Sequence, residues 1–376
     1  MLFRLRMIFL LFMPLFNFYK IYKMKYLFVR VCVSLLMIAF SLQSIAEERW
    51  LTSYVTNKQL DQTFESNQDQ RIRVLFDTDA NNELDDQHAL AYLLFNGGAF
   101  DVVGVTVNAT SSGGNIDEQY KEAERVMRLC NHFDKIPLIK GANGSFEEIR
   151  TSLSSEKYDG MEAVKFIIEQ ANATANGKLV LLPVGKLTNL ALALLIDPSI
   201  ASKIRIVWLG SNYPDAGEYN LENDIPSLNY ILSLNVPFEM VTVRYGNNTG
   251  TDAVRASLEE IRTKMPGKGP KISQPVTGRH GGTFDCFGDY SVNLFEHIEL
   301  HGEEPSRALF DMAAVAIVKN PAWAKYREIP APVYYQEGWV EQPDNKRLIG
   351  VWEYFDQQSI MEDFYSTMEN MVPVKK

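Results

Sequence analysis

What this chain has little of narrows the field first. It holds three cysteines in 376 residues, and Cys32 lies in an N-terminal stretch expected to be removed. Cys130 and Cys286 alone cannot build the framework of bridges on which small secreted domains rely, so an ordinary hydrophobic core must hold the fold. Positive charge is also short, with 37 Lys and Arg against 47 Asp and Glu. That balance excludes nucleic acid and anionic membrane as natural partners. The apolar runs near the N-terminus are about 10 to 12 residues each, whereas a membrane-spanning helix needs about 20. There is no linker rich in Pro, Gly or Ser, no internal repeat and no low-complexity tract, so one large domain is the simplest organisation.

Residues 1 to 46 carry six Lys and Arg and no acid. Met24-Lys25, the run Val31 to Phe40 and Ser44-Ile45-Ala46 supply the basic, apolar and small-residue parts of a secretory signal peptide. Cleavage is expected after Ala46, with Met24 a candidate start. The product would be exported, periplasmic or extracellular, with no stable membrane insertion. Its 31 basic and 47 acidic residues give a net charge near −16. Residues 47 to 70 read as a polar leader and 71 to 376 as the folded domain. Asn108-Ala109-Thr110, Asn172-Ala173-Thr174 and Asn247-Asn248-Thr249 are formal glycosylation acceptors.

From Arg71 onward, short β-rich runs alternate with helical ones. Ile72 to Phe76 precedes Asp85 to Phe95, and Val102 to Val107 precedes Asp117 to Asn131. Lys178 to Leu182 precedes Thr188 to Leu195, Ile204 to Leu209 precedes Ser227 to Leu234, and Phe238 to Val243 precedes Asp252 to Lys264. This is the pattern of βαβ units: an α/β fold with a single open, mostly parallel, Rossmann-like sheet flanked by helices. Pro266 to Gly288 is Gly-rich and reads as a long loop or lid. The helical pattern returns from Tyr290 to Asn320, with Asp311 opening an apolar helix, and edge strands are expected between Glu328 and Phe355.

The chemistry concentrates in Asp77-Thr78-Asp79-Ala80-Asn81-Asn82-Glu83-Leu84-Asp85-Asp86, which places five acids between a strand and a helix. Helix capping accounts for one or two of them. It does not account for Asp77 and Asp79, immediately after the strand. Carboxylates this crowded repel one another unless a cation sits among them, and calcium and magnesium prefer such oxygen ligands. The carboxyl end of a buried strand is also where an open α/β sheet puts its active site.

Further along stand Gly114-Asn115, Gly185-Lys186-Leu187-Thr188-Asn189-Leu190-Ala191, Glu218-Tyr219-Asn220 and Phe310-Asp311. In this order, across residues 71 to 330, the landmarks resemble the nucleoside hydrolase family. Its inosine-uridine-preferring members carry Asp-x-Asp-Pro-Gly-x-Asp-Asp, Gly-Pro-Leu-Thr-Asn-Leu-Ala, Glu-Phe-Asn and His-Asp at the corresponding places. The chain would be a divergent, exported member. The resemblance implies a calcium ion held by Asp79, Asp86, Asp311 and the main-chain carbonyl of Thr188. It implies ribose contacts from Asp85, Glu218 and Asn220. It also implies a catalytic Asn near the attacking water, either Asn115 or Asn108. Cleavage of an N-glycosidic bond passes through an oxocarbenium-like sugar, which surrounding carboxylates stabilise, and Asp79 is the expected general base. The implied ligand is a nucleoside or related riboside, and self-association is left open.

The sequence departs from the family in three ways. The acidic turn has two extra residues and no Pro-Gly pair. Lys186 replaces a Pro. Phe310 stands where the family has a His that protonates the leaving base. His280, His297 and His301 are candidate replacements, and Trp208, Tyr213, Phe284 and Phe287 are candidate stacking residues. His88 is expected on a helix face and Cys130 as a buried small hydrophobe. Two other classes stay open. One is a magnesium-dependent phosphatase of the haloacid dehalogenase type, which shares Asp-x-Asp but has no Asp-Asp six residues on. The other is an exported ribose- or nucleoside-binding protein without catalysis.

Overall fold

The computed structural model describes residues 71–173, 177–336 and 338–375. The expected signal peptide and polar leader lie outside them, as does Thr174 of the second glycosylation acceptor. Eight strands form the main sheet: β1 (Ile72–Thr78), β2 (Phe100–Val107), β3 (Leu138–Lys140), β4 (Leu179–Pro183), β5 (Ile204–Leu209), β6 (Phe238–Val241), β7 (Lys325–Pro330) and β8 (Leu348–Glu353). Their spatial order is β7-β8-β6-β5-β4-β1-β2-β3. Every neighbouring pair is parallel except β7 with β8.

The central strands read as unbroken apolar runs because both faces are covered. In β1, Val74 and Phe76 join the core on one face and Leu75 the core on the other. The first face packs against α1 (Asp85–Leu94), α2 (Ile116–Leu129), α6 (Phe287–Glu296), α7 (Phe310–Lys319) and α8 (Gln357–Glu369). The second packs against α3 (Met161–Asn172), α4 (Thr188–Ile196) and α5 (Ile225–Ser233). All ten residues of α1 are buried, which explains why that helix shows no polar stripe. Among the described residues no helix is long and apolar enough to cross a membrane.

After β1 the chain runs outward through β2 and β3, then returns to the other side of β1 as β4. The strand order therefore reverses between β1 and β4, and at such a point the loops leaving the carboxyl ends diverge to open a crevice. The acidic turn leaves β1 there and Gly185 follows β4.

Several expected elements differ in the structure. Asp252 to Lys264 is not one helix: a 3-10 turn (Thr251–Ala253) leads into a strand (Arg255–Ser257) paired with Ser306–Ala308. The helix starts only at Leu258, where Ser257 and Glu260 form a reciprocal cap. Of the expected edge strands, Lys325–Pro330 is at an edge, but Leu348–Glu353 lies inside, between β6 and β7. Val333–Tyr335 and Gly338–Val340 form a separate ribbon. The expected lid, Pro266 to Gly288, holds a two-residue ribbon, and none of its residues lines the crevice. It is tied to the acidic turn by Arg279, whose Nη1 donates to the Glu83 carbonyl at 2.8 Å.

Candidate active site

Asp77 ends β1 as an internal brace. Its buried carboxylate accepts from Thr106 Oγ1 at 2.5 Å and from Asn108 Nδ2 and Asn189 Nδ2 at 2.7 Å each. Burial still pushes its pKa up to about 6. Asp79, two residues on, points the same way along the strand and accepts from Thr110 Oγ1 at 2.5 Å. Gly185 makes room for it, since a β-carbon there would stand 2.7 Å from Asp79 Oδ1.

Asp85 and Asp86 occupy the first turn of α1, and Asp311 the first turn of α7. One carboxylate oxygen from each lies within 4.8 Å of the other two, and the three residues are 7%, 2% and 2% exposed. Two helix N-termini face the cluster and offset part of its charge. Thr78 Oγ1 also donates to Asp86. These contacts do not offset the cost of burying so many carboxylates together. Burial, then Glu83, push Asp85 to about 8, and burial raises Asp79 to about 7. Burial, reinforced by the neighbouring acids, pushes Asp86 and Asp311 well above the usual carboxylate range. An all-oxygen, strongly anionic donor set held on two helix ends fits a hard divalent cation.

The cluster sits in a cleft of about 470 Å³. Also lining the cleft, Glu218 accepts from Ser211 N at 2.9 Å and Leu221 N at 3.0 Å, and burial raises its pKa. Asn220 Nδ2 donates to the carbonyls of Val184 at 2.8 Å and Leu209 at 3.1 Å. The side chain is thereby fixed across two strand ends.

Of the residues expected from the sequence, Asp79, Asp85, Asp86, Glu218, Asn220 and Asp311 line this one cleft. Thr188 and Asn115 do not. Thr188 is buried at the start of α4, where its Oγ1 donates to Asp224; the residue of that segment which reaches the cleft is Val184, directly after β4. Asn115 is an exposed cap of α2, accepting from Asp117 N at 2.8 Å while Glu118 reaches back to its own N–H at 2.9 Å. Its competitor Asn108 adjoins Asp79: both share the space beside Gly185, and Asn108 Oδ1 is buried without a protein partner.

Phe310 lines the cleft, and so does His301, whereas His280 and His297 stack on each other elsewhere. Trp208, Tyr213, Phe284 and Phe287 are not among the lining residues. Trp208 is fully buried with its indole N–H on the Gly185 carbonyl, and Phe287 packs edge-on against His88. His88, expected on a helix face, is wholly buried, and Cys130 is buried as expected. Besides Phe310, the aromatic lining comes from Tyr219 and Tyr245, and its cations from Arg255 and Arg307. Sequence reasoning passed over these four. Applying the strand-end rule to β6, as was done for β1, would have reached Val243 to Gly246.

The comparisons with known proteins agree with this geometry. The family model described as inosine-uridine preferring nucleoside hydrolase matches residues 74–356. A putative pyrimidine-specific ribonucleoside hydrolase, RihB of Shigella boydii serotype 4 (strain Sb227), is 32% identical over 117 residues, 30% of this chain and 48% of that protein. The chain thus spans about half the length of that relative. A plant nucleoside hydrolase, the PpNRh1 enzyme, superposes with a TM-score of 0.61 at 17% identity, covering 80% of this chain and 99% of that one. The inosine-uridine preferring nucleoside hydrolase from Bacillus anthracis gives 0.58 at 17% identity, covering 80% and 100%. At that identity these two likenesses establish a shared fold, and the match over residues 74–356 establishes more: the chain belongs to the inosine-uridine preferring nucleoside hydrolase family.

Proposed function

We propose that this protein hydrolyses the N-glycosidic bond of ribonucleosides or related ribosides, releasing ribose, and that it does so with calcium. The observation that carries this is the convergence of the Asp85, Asp86 and Asp311 carboxylates in a cleft that Asp79, Glu218 and Asn220 also line. Asp79, Asp86 and Asp311 would hold the ion. When bound, calcium supplies a fixed positive charge that lowers the pKa of neighbouring water and orients a sugar diol.

The chain's own groups do the rest. Asp79 has one carboxylate oxygen fixed by Thr110, which leaves the other to take a proton from the attacking water. Asp85 and Glu218 face the sugar from two sides, where their charge stabilises the oxocarbenium-like carbon. Asn108, held by Asp77, keeps an unused carbonyl oxygen beside Asp79 to orient that water. The secretory signal makes this an exported activity. An N-terminus at Glu47 in protein isolated from its source would agree with that; a retained residue 1 would oppose it.

The test is a panel of ribonucleosides assayed for free ribose, with calcium and with a chelator. Calcium-dependent release supports the reading. Bound nucleoside without turnover would replace it with a binding protein, and release unaffected by chelation would remove the ion.

A further inference from the structure

Phe310 and Tyr245 make a corner in the cleft wall, with ring centroids 5.7 Å apart and planes at 89°. A flat heterocycle can lie on one ring and present its edge to the other. Tyr245 is 51% exposed, unusual for so large a ring beside a site. Its position is set by Arg244, a non-glycine residue in the left-handed region at φ +52°. The Arg244 guanidinium is anchored to the Tyr213 carbonyl at 2.8 Å, Thr249 Oγ1 at 2.9 Å and Glu353 at 2.6 Å. Strain of this kind persists only where the surroundings hold it.

Around that corner the charge is one-sided. Seven carboxylates line the cleft (Asp79, Glu83, Asp85, Asp86, Glu218, Asp252 and Asp311) against the guanidiniums of Arg255 and Arg307. Both guanidiniums are engaged already, Arg255 by Asp252 at 3.1 Å and Arg307 by Glu83. One divalent ion leaves the balance negative.

The two rings of the corner offer a departing base no free proton. Phe310 has none. The Tyr245 hydroxyl is directed to Glu218 at 3.4 Å. His301 is the imidazole among the lining residues, and Arg307 Nη1 lies 2.9 Å from its Nε2. A guanidinium can only donate, so that nitrogen is the acceptor and the neutral ring keeps its proton on Nδ1, away from Arg307.

A neutral base that leaves this corner unprotonated departs as an anion among carboxylates. A ring whose glycosidic nitrogen is already positive departs neutral and needs no acid. Resting on the hydrolase reading above, we propose that the substrate class of this cleft is the N-ribosides of cationic heterocycles, of the pyridinium type. The C1′–N⁺ bond breaks and its electron pair passes to the ring nitrogen, which becomes neutral. The water oxygen bonds to C1′, its proton goes to Asp79 and then to solvent, and the products are ribose and the free pyridine. The two aromatic faces and the surrounding carboxylates attract the cationic ring before cleavage and lose that attraction afterwards.

The experiment compares nicotinamide riboside, uridine and p-nitrophenyl riboside on the full chain with calcium. The pyridinium riboside should exceed uridine in kcat/KM by about 10² or more, the scale of general-acid assistance that uridine lacks here. Its KM should lie several-fold below that of the neutral but equally activated p-nitrophenyl riboside, and the gap should shrink as salt is raised. Phe310→His should narrow the difference by raising uridine turnover, and Tyr245→Leu should raise KM for the charged substrate more than for the neutral one. Uridine matching the pyridinium riboside would overturn the inference while leaving the hydrolase reading intact. Equal, salt-independent KM values for the charged and neutral activated substrates would overturn it too. Failure of all three substrates would instead remove the hydrolase reading, and this inference with it. If either variant fails to fold, the comparison on the unaltered chain decides alone.

Discussion

The β-carbon that Gly185 lacks would stand 2.7 Å from Asp79 Oδ1 and 2.8 Å from Asn108 Nδ2. The end of β4 thus leaves room for the two polar side chains that the proposed mechanism sets beside the attacking water. Gly185→Ala forces one of them to move. Displacements of about 1 Å can cost about 10² in rate, so kcat should fall by at least that while circular dichroism stays native. A variant with near-wild-type kcat would show that this close approach has no catalytic consequence.

Calcium removal should abolish activity and lower the melting temperature, both reversibly, with about one ion per chain by mass spectrometry when loaded. Free calcium at 100 times its dissociation constant would stabilise the fold by about 2.7 kcal/mol. A fully active chain free of metal contradicts this.

Asp79→Ala and Asp311→Ala should each cost several orders of magnitude in turnover. Stability without calcium should move the other way for Asp311→Asn. That change removes one of the acids crowding Asp85 and Asp86 and keeps the shape, so the chelated variant should melt above the chelated wild type. A lower melting temperature would mean that repulsion is not what the ion relieves.

Asn108 and Asn115 should separate cleanly. Asn115→Ala removes a helix cap and should cost about 1 kcal/mol of stability, measured by denaturant titration, with kcat unchanged. Asn108→Ala takes a donor from Asp77 and the free oxygen from beside Asp79, and should lower kcat without a comparable rise in KM.

His88 predicts a pH dependence of stability. Its Nδ1 lies 2.6 Å from the Leu84 carbonyl and its Nε2 2.7 Å from Ser291 Oγ, a pair satisfied by the neutral ring. Burial lowers its pKa from 6.5 to about 4. The unfolded chain therefore binds more protons between those values, so this stability is present above pH 6.5 and is lost as pH falls toward 4. The loss is at most ~3 kcal/mol. Denaturant titrations from pH 7.5 to 5 should show a shallower decline for His88→Gln, and parallel slopes would assign the decline to other groups.

The sheet was legible because central parallel strands are unbroken apolar runs, and the acidic turn because nothing structural needs four Asp there. Thr188 and Asn115 do not line the cleft, for a common reason. A short motif tells which residue types are present, but not which of them meets the cleft. Asn115 was attractive because capping and catalysis use the same residue type. Arg307 and Tyr245 enter the cleft from a short strand and a strained turn whose geometry depends on partners far along the chain. The helix expected over Asp252 to Lys264 failed where a Ser-x-x-Glu cap at Ser257 set a later start.

Asp85 and Asp86 stand at the beginning of the domain and Asp311 near its end, on helices that share one core. During synthesis the first two acids emerge long before their counterpart, and segments emerging first are the first able to fold. Their segment cannot be sealed off from water early, since an ionised carboxylate resists burial until a cation offsets it. Consolidation of this corner waits for most of the chain. On the calcium reading proposed above, capture of the ion would mark completion of the fold, and an environment poor in calcium would leave newly made protein open at this cleft.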